Sequence, residues 1–412
     1  MSSTEATTPP PETDFDHHAP SLSVSHDVVL ATYADLRERC PVVHSSAHNG
    51  FYVTTRYQAL RTVTGDAERF SAADGVILPS RDLPKIVPLE YEGPEHDAWR
   101  TLMLAPLTPA KVRELGPVID DIVRAQIDGF ARDGRADLAS AVAETVPALV
   151  ISHMVGLSAE AAPRMRELGS AMVAAQNTDR MPQAAKEFFA FAAAQLEDRR
   201  QNPRDDYLTQ LASGALGDRP LTDDEVGGIL MSFFIGGHHS TTAAIAALLH
   251  HILTESGVRE ELANDPGVLP KVIEESLRLS TPLAHFARTV LQDTEIEGCP
   301  VPAGSRILLN YVSANRDEER FTDPDRFDFG RRPNPHVAFG FGGHLCIGRH
   351  LARAELTAVA TQLLTRLPDI ETDGEVRFSG LIGGNLRRIL ELPVRFTPET
   401  PDARQNRTAD GK

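Results

Sequence analysis

Ten residues near the C-terminal end, Phe339-Gly340-Phe341-Gly342-Gly343-His344-Leu345-Cys346-Ile347-Gly348, set one cysteine among glycines. Glycine reaches backbone conformations closed to other residues, so this stretch can turn sharply and lie flat against a bulky partner. From Arg349 onward a helical pattern holds, with Ala352, Leu356, Val359, Leu363 and Leu367 at spacings of three and four. Cys346 therefore falls at or just before a helix N-terminus, where the dipole favours an anion and biases a thiol toward thiolate. A thiolate in a glycine-rich cradle suits a haem iron as a strongly electron-donating axial ligand. Three further groupings could take part in chemistry. His96 and Arg100 lie four apart behind Pro94, on one face of a predicted helix. Gly236-Gly237-His238-His239-Ser240-Thr241-Thr242 interrupts an otherwise apolar run. Glu275 and Arg278 lie three apart, close enough to pair.

These groups need a frame. Thr222 with Glu225 three residues on is a capping box, and the apolar pattern then continues to about Leu253. At about 1.5 Å per residue that is a rod of roughly 45 Å, long enough to cross the molecule. The polar interruption argues against a membrane span and for a buried central helix. Short helices alternate with strand-like runs such as Gly50-Phe51-Tyr52-Val53-Thr54-Thr55 before Phe70, and residues 72–91 are Pro-rich and irregular. Residues 108–200 read as Ala-rich helices with breaks near Arg132-Asp133-Gly134 and Leu157-Ser158.

The chain has 412 residues, 41% hydrophobic and 24% charged, an ordinary composition for a water-soluble fold. Its net charge of −17 argues against nucleic acid as a partner. Three cysteines, Cys40, Cys299 and Cys346, make no disulfide framework and suit a reducing compartment, the cytoplasm. The N-terminus lacks the basic and apolar regions of a signal peptide or membrane anchor. Residues 1–21 and 397–412 are expected to be disordered tails flanking a single catalytic domain over 22–396.

From Phe339 to Glu355 the string reads Phe-Gly-x-Gly-x-His-x-Cys-x-Gly followed by Leu-Ala-Arg-x-Glu. It resembles the haem-binding loop of the cytochrome P-450 family, soluble bacterial type. The resemblance extends over about residues 22–396 and implies a mainly α fold with a smaller β-rich part (α+β), the haem lying between the long central helix and the cysteine loop. It makes Cys346 the axial ligand of a haem b. Phe339, Gly340 and Gly348 then belong to the cradle, and His96, Arg100, Arg288 and His344 to the propionate contacts. The central interruption resembles the family's oxygen-binding motif: Gly236, Gly237 and Thr241 fit it, whereas His239 replaces the usual acid and Ser240 the first threonine. The expectation is a pH-sensitive proton relay with Ser240 as alcohol and His239 as carrier near neutral pH. Gly237 is expected to crowd the haem. Glu275, Arg278 and Arg326, the last from Pro324-Asp325-Arg326-Phe327, form the implied structural triad, with Arg331 as a competitor for the third place. Leu283, His285, Phe286 and Ile382 should border the substrate pocket, the segment from about Ala159 to Gln201 should cover it, and the 72–91 loop should roof it.

The implied reaction is monooxygenation: reductive activation of O2 at haem iron and insertion of one oxygen atom into a C–H bond of a small-molecule substrate. No flavin or iron–sulfur motif follows the loop, so the expected electron source is NAD(P)H through a ferredoxin reductase and a ferredoxin. Arg331, Arg332, Arg349, His350 and Arg353 are the expected docking patch. His239 and Ser240 leave open oxidative coupling, desaturation or peroxide-driven chemistry on the same fold, and a non-catalytic haem sensor also stays open.

Overall fold

The longest element starts where its cap is. Glu225 N–H donates to the Thr222 hydroxyl at 3.3 Å, and Glu225 Oε2 accepts the Thr222 N–H at 2.9 Å. Both halves of the capping box are made, and the helix runs from Asp223–Thr254, 32 residues. The computed structural model describes residues 9–80, 85–175 and 178–400. Being apolar nearly all round, this helix has to be covered on every side. The helices Thr145–Val155, Met181–Gln201, Leu269–Ser280 and Arg349–Arg366 all pack against it. It continues as an unbroken α-helix through Gly236-Gly237.

The smaller β part is a six-stranded sheet in the order Glu12–Thr13, Val42–Ser45, Phe51–Thr54, Arg306–Asn310, His285–Val290, Phe70–Ser71. The central pair is antiparallel, with Leu308 opposite Ala287 and Asn310 opposite His285. Arg306–Asn310 also pairs in parallel with Phe51–Thr54. Cys40 and Cys299 are free thiols with sulfurs 3.3 Å apart.

The expected tails require correction. Residues 1–8 and 401–412 lie outside the described residues. Residues 9–21 are built into the fold: Glu12–Thr13 pairs with the sheet, and Phe15 and His17 are buried. At the other end the Thr397 N–H donates to Asp369 and the Glu399 N–H to the Ala131 carbonyl. Main-chain pairing and apolar burial outweigh the polar composition that suggested disorder.

Glu275 lies at the centre of a buried network, fully buried with Arg278. Arg278 donates to both carboxylate oxygens, at 2.8 and 2.7 Å. It also donates to the carbonyls of Asn315, Pro324 and Arg326. Arg326 contributes that carbonyl only, since its side chain is exposed. The third member is Arg331, whose Nε is 3.2 Å from Glu275 Oε1 and whose other nitrogens reach the Thr322 and Asp323 carbonyls. The expected place of Arg326 in the triad is thus corrected to Arg331, because the turn at Asp323 points the Arg326 side chain to solvent. His336 is a satisfied structural histidine: its Nε2 is 3.0 Å from Glu274, which also takes a forked pair from Arg353. Against burial, Arg353 and His336 hold the Glu274 carboxyl down to about 2.

Arg331→Leu should cost about 2–3 kcal/mol, because a charged hydrogen bond to a buried carboxylate is lost. Arg326→Ala should stay within about 0.5 kcal/mol, as for an ordinary surface change. Urea unfolding of the two variants measures both, and equal costs would contradict the assignment.

Candidate active site

The cysteine loop is shaped by its own backbone. The Cys346 N–H donates to the Phe339 carbonyl at 2.8 Å and the Gly340 N–H to the Val337 carbonyl at 2.9 Å. Gly342 has φ +73°, and a Cβ there would strike the Thr64 carbonyl, so only glycine fits. The helix Arg349–Arg366 begins three residues after Cys346, as its spacing predicts. Arg349 donates to the Cys346 carbonyl at 3.1 Å, and the Arg353 guanidinium lies 4.5 Å over the Phe339 ring. Gly348 approaches the sulfur closely: a Cβ on it would sit 3.9 Å from Sγ. Burial pushes the Cys346 thiol up, opposed by the Gly348 N–H and by Arg349, Arg100 and Arg353. The protein field alone therefore does not deliver the expected thiolate. A bound cation would, since a coordinating thiol is deprotonated outright.

Facing the loop is a set of polar groups with unspent capacity. The helix Gly93–Leu104 opens with Pro94 in its first turn and carries both His96 and Arg100. His96 is buried and its Nε2 has no partner. Its ring centroid is 4.6 Å from that of His344, whose Nδ1 is likewise buried without a partner. His344 Nε2 is 3.4 Å from Glu92 Oε2. Arg100 donates to the Leu345 carbonyl at 2.7 Å, tying this helix to the cysteine loop. Arg288 is 4% exposed, donates to the Ala287 carbonyl, and has no carboxylate partner within ion-pair distance among the described residues. A buried guanidinium without an acid is costly unless an anion completes it. This donor set fits a flat prosthetic group with carboxylates along one edge, which is what haem offers. His96, Arg100, Arg288 and His344 could hold those carboxylates, and Cys346 the iron.

On the central helix, Ser240 is half-buried and its hydroxyl donates to the Gly236 carbonyl at 2.6 Å, one turn back. Gly236 faces open space, where an added Cβ would meet nothing within 4 Å. Gly237 points the other way. A Cβ on it would come within 2.9 Å of Ile151 Cδ1, so the crowding that calls for glycine here comes from the helix Thr145–Val155. Thr241 is buried, and neither it nor Ser240 is among the residues that line the cavity, so what sets Ser240 apart is its greater exposure beside Gly236. His238 Nε2 is 2.9 Å from the Glu144 carbonyl. His239 lines the cavity with a buried, unpartnered Nε2. Burial, then His238 and Arg388, push the His239 imidazole down to about 3. The expected titrating relay between pH 5.5 and 7.5 is corrected accordingly: His239 is neutral across that span.

The cavity above this face has a volume of about 380 Å³. Leu283, Phe286 and Ile382 line it, alongside Ile235 of the central helix. Met172, Met181, Ala185 and Phe189 come from the helices Ala162–Ala174 and Met181–Gln201, which wall the cavity on this side. The 72–91 loop closes another side through Gly75, Ile77 and Ile86. His285 does not line it. Alternation along its strand turns that ring into the core, where Nε2 is 2.9 Å from the Tyr33 hydroxyl and Nδ1 is 3.1 Å from the Gly384 carbonyl.

Two acids escaped the sequence reading. Glu90 accepts the Val76 and Ile86 N–H groups, both at 2.8 Å, and staples the loop over the cavity. Glu92 accepts the Ala72 N–H at 2.6 Å and sits at the N-cap of the helix carrying His96. Acid just ahead of Pro94 was the available signal, since helix N-termini favour negative charge. The expected basic docking patch is thinner than its composition: Arg331 and Arg353 are committed to Glu275 and Glu274, leaving Arg332 exposed and Arg349 and His350 half-buried.

Comparison with known proteins adds the family. The sequence profile described as Cytochrome P450 matches residues 166–368. Steroid C26-monooxygenase of Mycobacterium tuberculosis is 31% identical over 383 residues, covering 90% of this chain and 94% of the relative. Mycinamicin IV hydroxylase/epoxidase of Micromonospora griseorubida is 32% identical, covering 90% and 96%. The structure of a cytochrome P450 from Chondromyces apiculatus superposes with a TM-score of 0.82 at 32% identity, covering 94% of this chain and 99% of that one.

His26, His239 and His251 are each held down to about 3 and His17 to about 4, chiefly by burial. In the unfolded chain such groups take up protons below about 6.5. The unfolded state therefore binds more protons from there down to the folded values, and stability falls as pH is lowered through that window. His239→Leu should reduce the slope of unfolding free energy with pH near pH 5 by about one proton, or ~1.4 kcal/mol per pH unit. Urea titrations between pH 4.5 and 5.5 measure it, and an unchanged slope would mean that native His239 is already protonated there.

Proposed function

The chain belongs to the cytochrome P450 family and is a haem-thiolate monooxygenase, and on that premise we propose how its residues divide the work. Cys346 is the proximal ligand of a haem b, with Phe339, Gly340 and Gly348 as its cradle. His96, Arg100, Arg288 and His344 hold the propionates. The observation that carries this reading is the glycine-flanked cysteine facing buried, unpartnered imidazole nitrogens and an acid-free arginine. When bound, haem with its thiolate supplies reductive activation of O2 and transfer of one oxygen atom to a C–H bond, the other leaving as water.

The chain's own residues position substrate and protons. Ser240 keeps a hydroxyl that donates to the Gly236 carbonyl and can still accept from a water, which it would hold in place for proton delivery. His239, neutral, takes no proton from bulk at pH 7 and serves as a polar wall of the cavity. The substrate is a small to medium, largely apolar molecule, in keeping with a lining dominated by Met, Leu, Ile and Phe. One relative is named for a steroid and another for mycinamicin, which supports a small organic substrate without choosing between them. Residues 9–400 act as one catalytic domain, working in the bacterial cytoplasm. Among the described residues no helix is long and apolar enough to cross a membrane. Electrons come from NAD(P)H by way of a ferredoxin reductase and an acidic ferredoxin, which meets the Arg332 and Arg349 side.

Cys346→His should abolish the red-shifted Soret band of the reduced carbon monoxide complex while haem is retained; persistence of that band would assign the iron to another residue. Ser240→Ala should divert electrons from product to hydrogen peroxide, with Thr241→Ala much closer to wild type. Equal coupling in the two variants would remove Ser240 from proton handling. Arg332→Glu with Arg349→Glu should slow first electron transfer from a ferredoxin at low salt and flatten its dependence on ionic strength. An unchanged salt slope would move the docking site elsewhere.

A further inference from the structure

Away from the cavity, three metal-binding side chains converge from separate segments. Asp16 and His17 lie between the strand Glu12–Thr13 and the helix Pro20–Val24, and His48 lies in the turn between Val42–Ser45 and Phe51–Thr54. Their ligand atoms all lie within 4.8 Å of one another, the one such group of three among the described residues. His48 Nε2 is 2.8 Å from Asp16 Oδ1, and a half-exposed ion pair would account for those two alone.

His17 is what the pair does not account for. It is 4% exposed, and its Nε2 is 2.8 Å from the Leu78 carbonyl. A carbonyl only accepts, so Nε2 carries the proton and Nδ1 presents a lone pair. That Nδ1 is buried and has no donor. An imidazole with one nitrogen donating to a backbone carbonyl and the other bare is in the state of a metal ligand, held in tautomer and orientation by its outer partner. Two imidazole nitrogens and one carboxylate oxygen, with water in the fourth position, make a tetrahedral set suited to zinc.

We propose that Asp16, His17 and His48 bind one divalent transition-metal ion of the zinc class, which fastens the N-terminal segment to the β-turn and, through the Leu78 carbonyl, to the loop that roofs the cavity. Binding exchanges the His48–Asp16 hydrogen bond for two bonds to the metal, the His48 proton passing from Nε2 to Nδ1. The metal site lies outside the cavity lining, and its role is to stiffen the roof. The Leu78 carbonyl is already shared by His18, whose Nε2 is 3.0 Å away, so the anchor on the roof is double.

The test is calorimetric titration of Zn2+ into the chelator-treated holoenzyme. Wild type should take up one zinc more per chain than either His48→Gln or Asp16→Asn, whose affinity at this site should fall at least about tenfold. Haem content and Soret spectrum should be unchanged in both. His48 and Asp16 are partly exposed, so these variants keep the test valid even if the buried His17→Gln fails to fold. Zinc should also raise the thermal midpoint of wild type and not of His48→Gln, because a ligand specific to the native state stabilises it. Equal zinc uptake by wild type and both variants, or a zinc-dependent midpoint shift that survives in His48→Gln, would overturn the proposal.

Discussion

One buried carboxylate governs the placement of the cysteine. Glu275 receives two nitrogens of Arg278, Nε of Arg331, the Asn334 side chain at 3.1 Å and the Asp328 N–H at 2.9 Å. Breaking such a set leaves an uncompensated buried charge, which costs far more than the set contributes when whole. The network therefore specifies geometry. Arg278 holds the Asn315 carbonyl, and the Asn315 side-chain oxygen accepts the Val337 N–H at 2.8 Å. Val337 in turn accepts from Gly340, and Phe339 from Cys346. A short chain of hydrogen bonds thus runs from a helix interior to the backbone of Cys346, through a stretch with little regular secondary structure.

The opposite wall is set by a different constraint. A long apolar helix has no free face, so every residue that turns toward the cavity displaces packing. Gly236 and Ser240 share the open side, whereas Gly237 is taken by Ile151. The helices Ala162–Ala174 and Met181–Gln201 contribute methionines and a phenylalanine, side chains that adapt to irregular ligands. The roof is held by Glu90 and, on its outer side, by His17 and His18 at Leu78. The site joins a rigid proximal half to a more adaptable distal half.

Much of this was legible from residue types and spacing. The capping box at Thr222 and Glu225 located the central helix, because it depends on two side chains three positions apart and nothing else. The cysteine loop was legible because its glycines are dictated by close approach, as at Gly342 against Thr64. Long-range choices were not. Whether Arg326 or Arg331 reached Glu275 depended on a turn at Asp323, where φ is positive. Whether His285 faced cavity or core depended on strand register against Asn310. The polar N-terminus concealed Phe15 and His17, whose burial needs a sheet edge assembled from residues far along the chain. The value of His239 as a proton carrier hinged on desolvation, which no local pattern encodes.

The central claim is that the iron of this enzyme is bound by the sulfur of Cys346. Iron-edge X-ray absorption of the purified protein tests it without a substrate or a redox partner. A single sulfur scatterer bound directly to iron, absent in Cys346→Ser, is the predicted result. A coordination sphere of nitrogen and oxygen alone in the wild type would contradict the account.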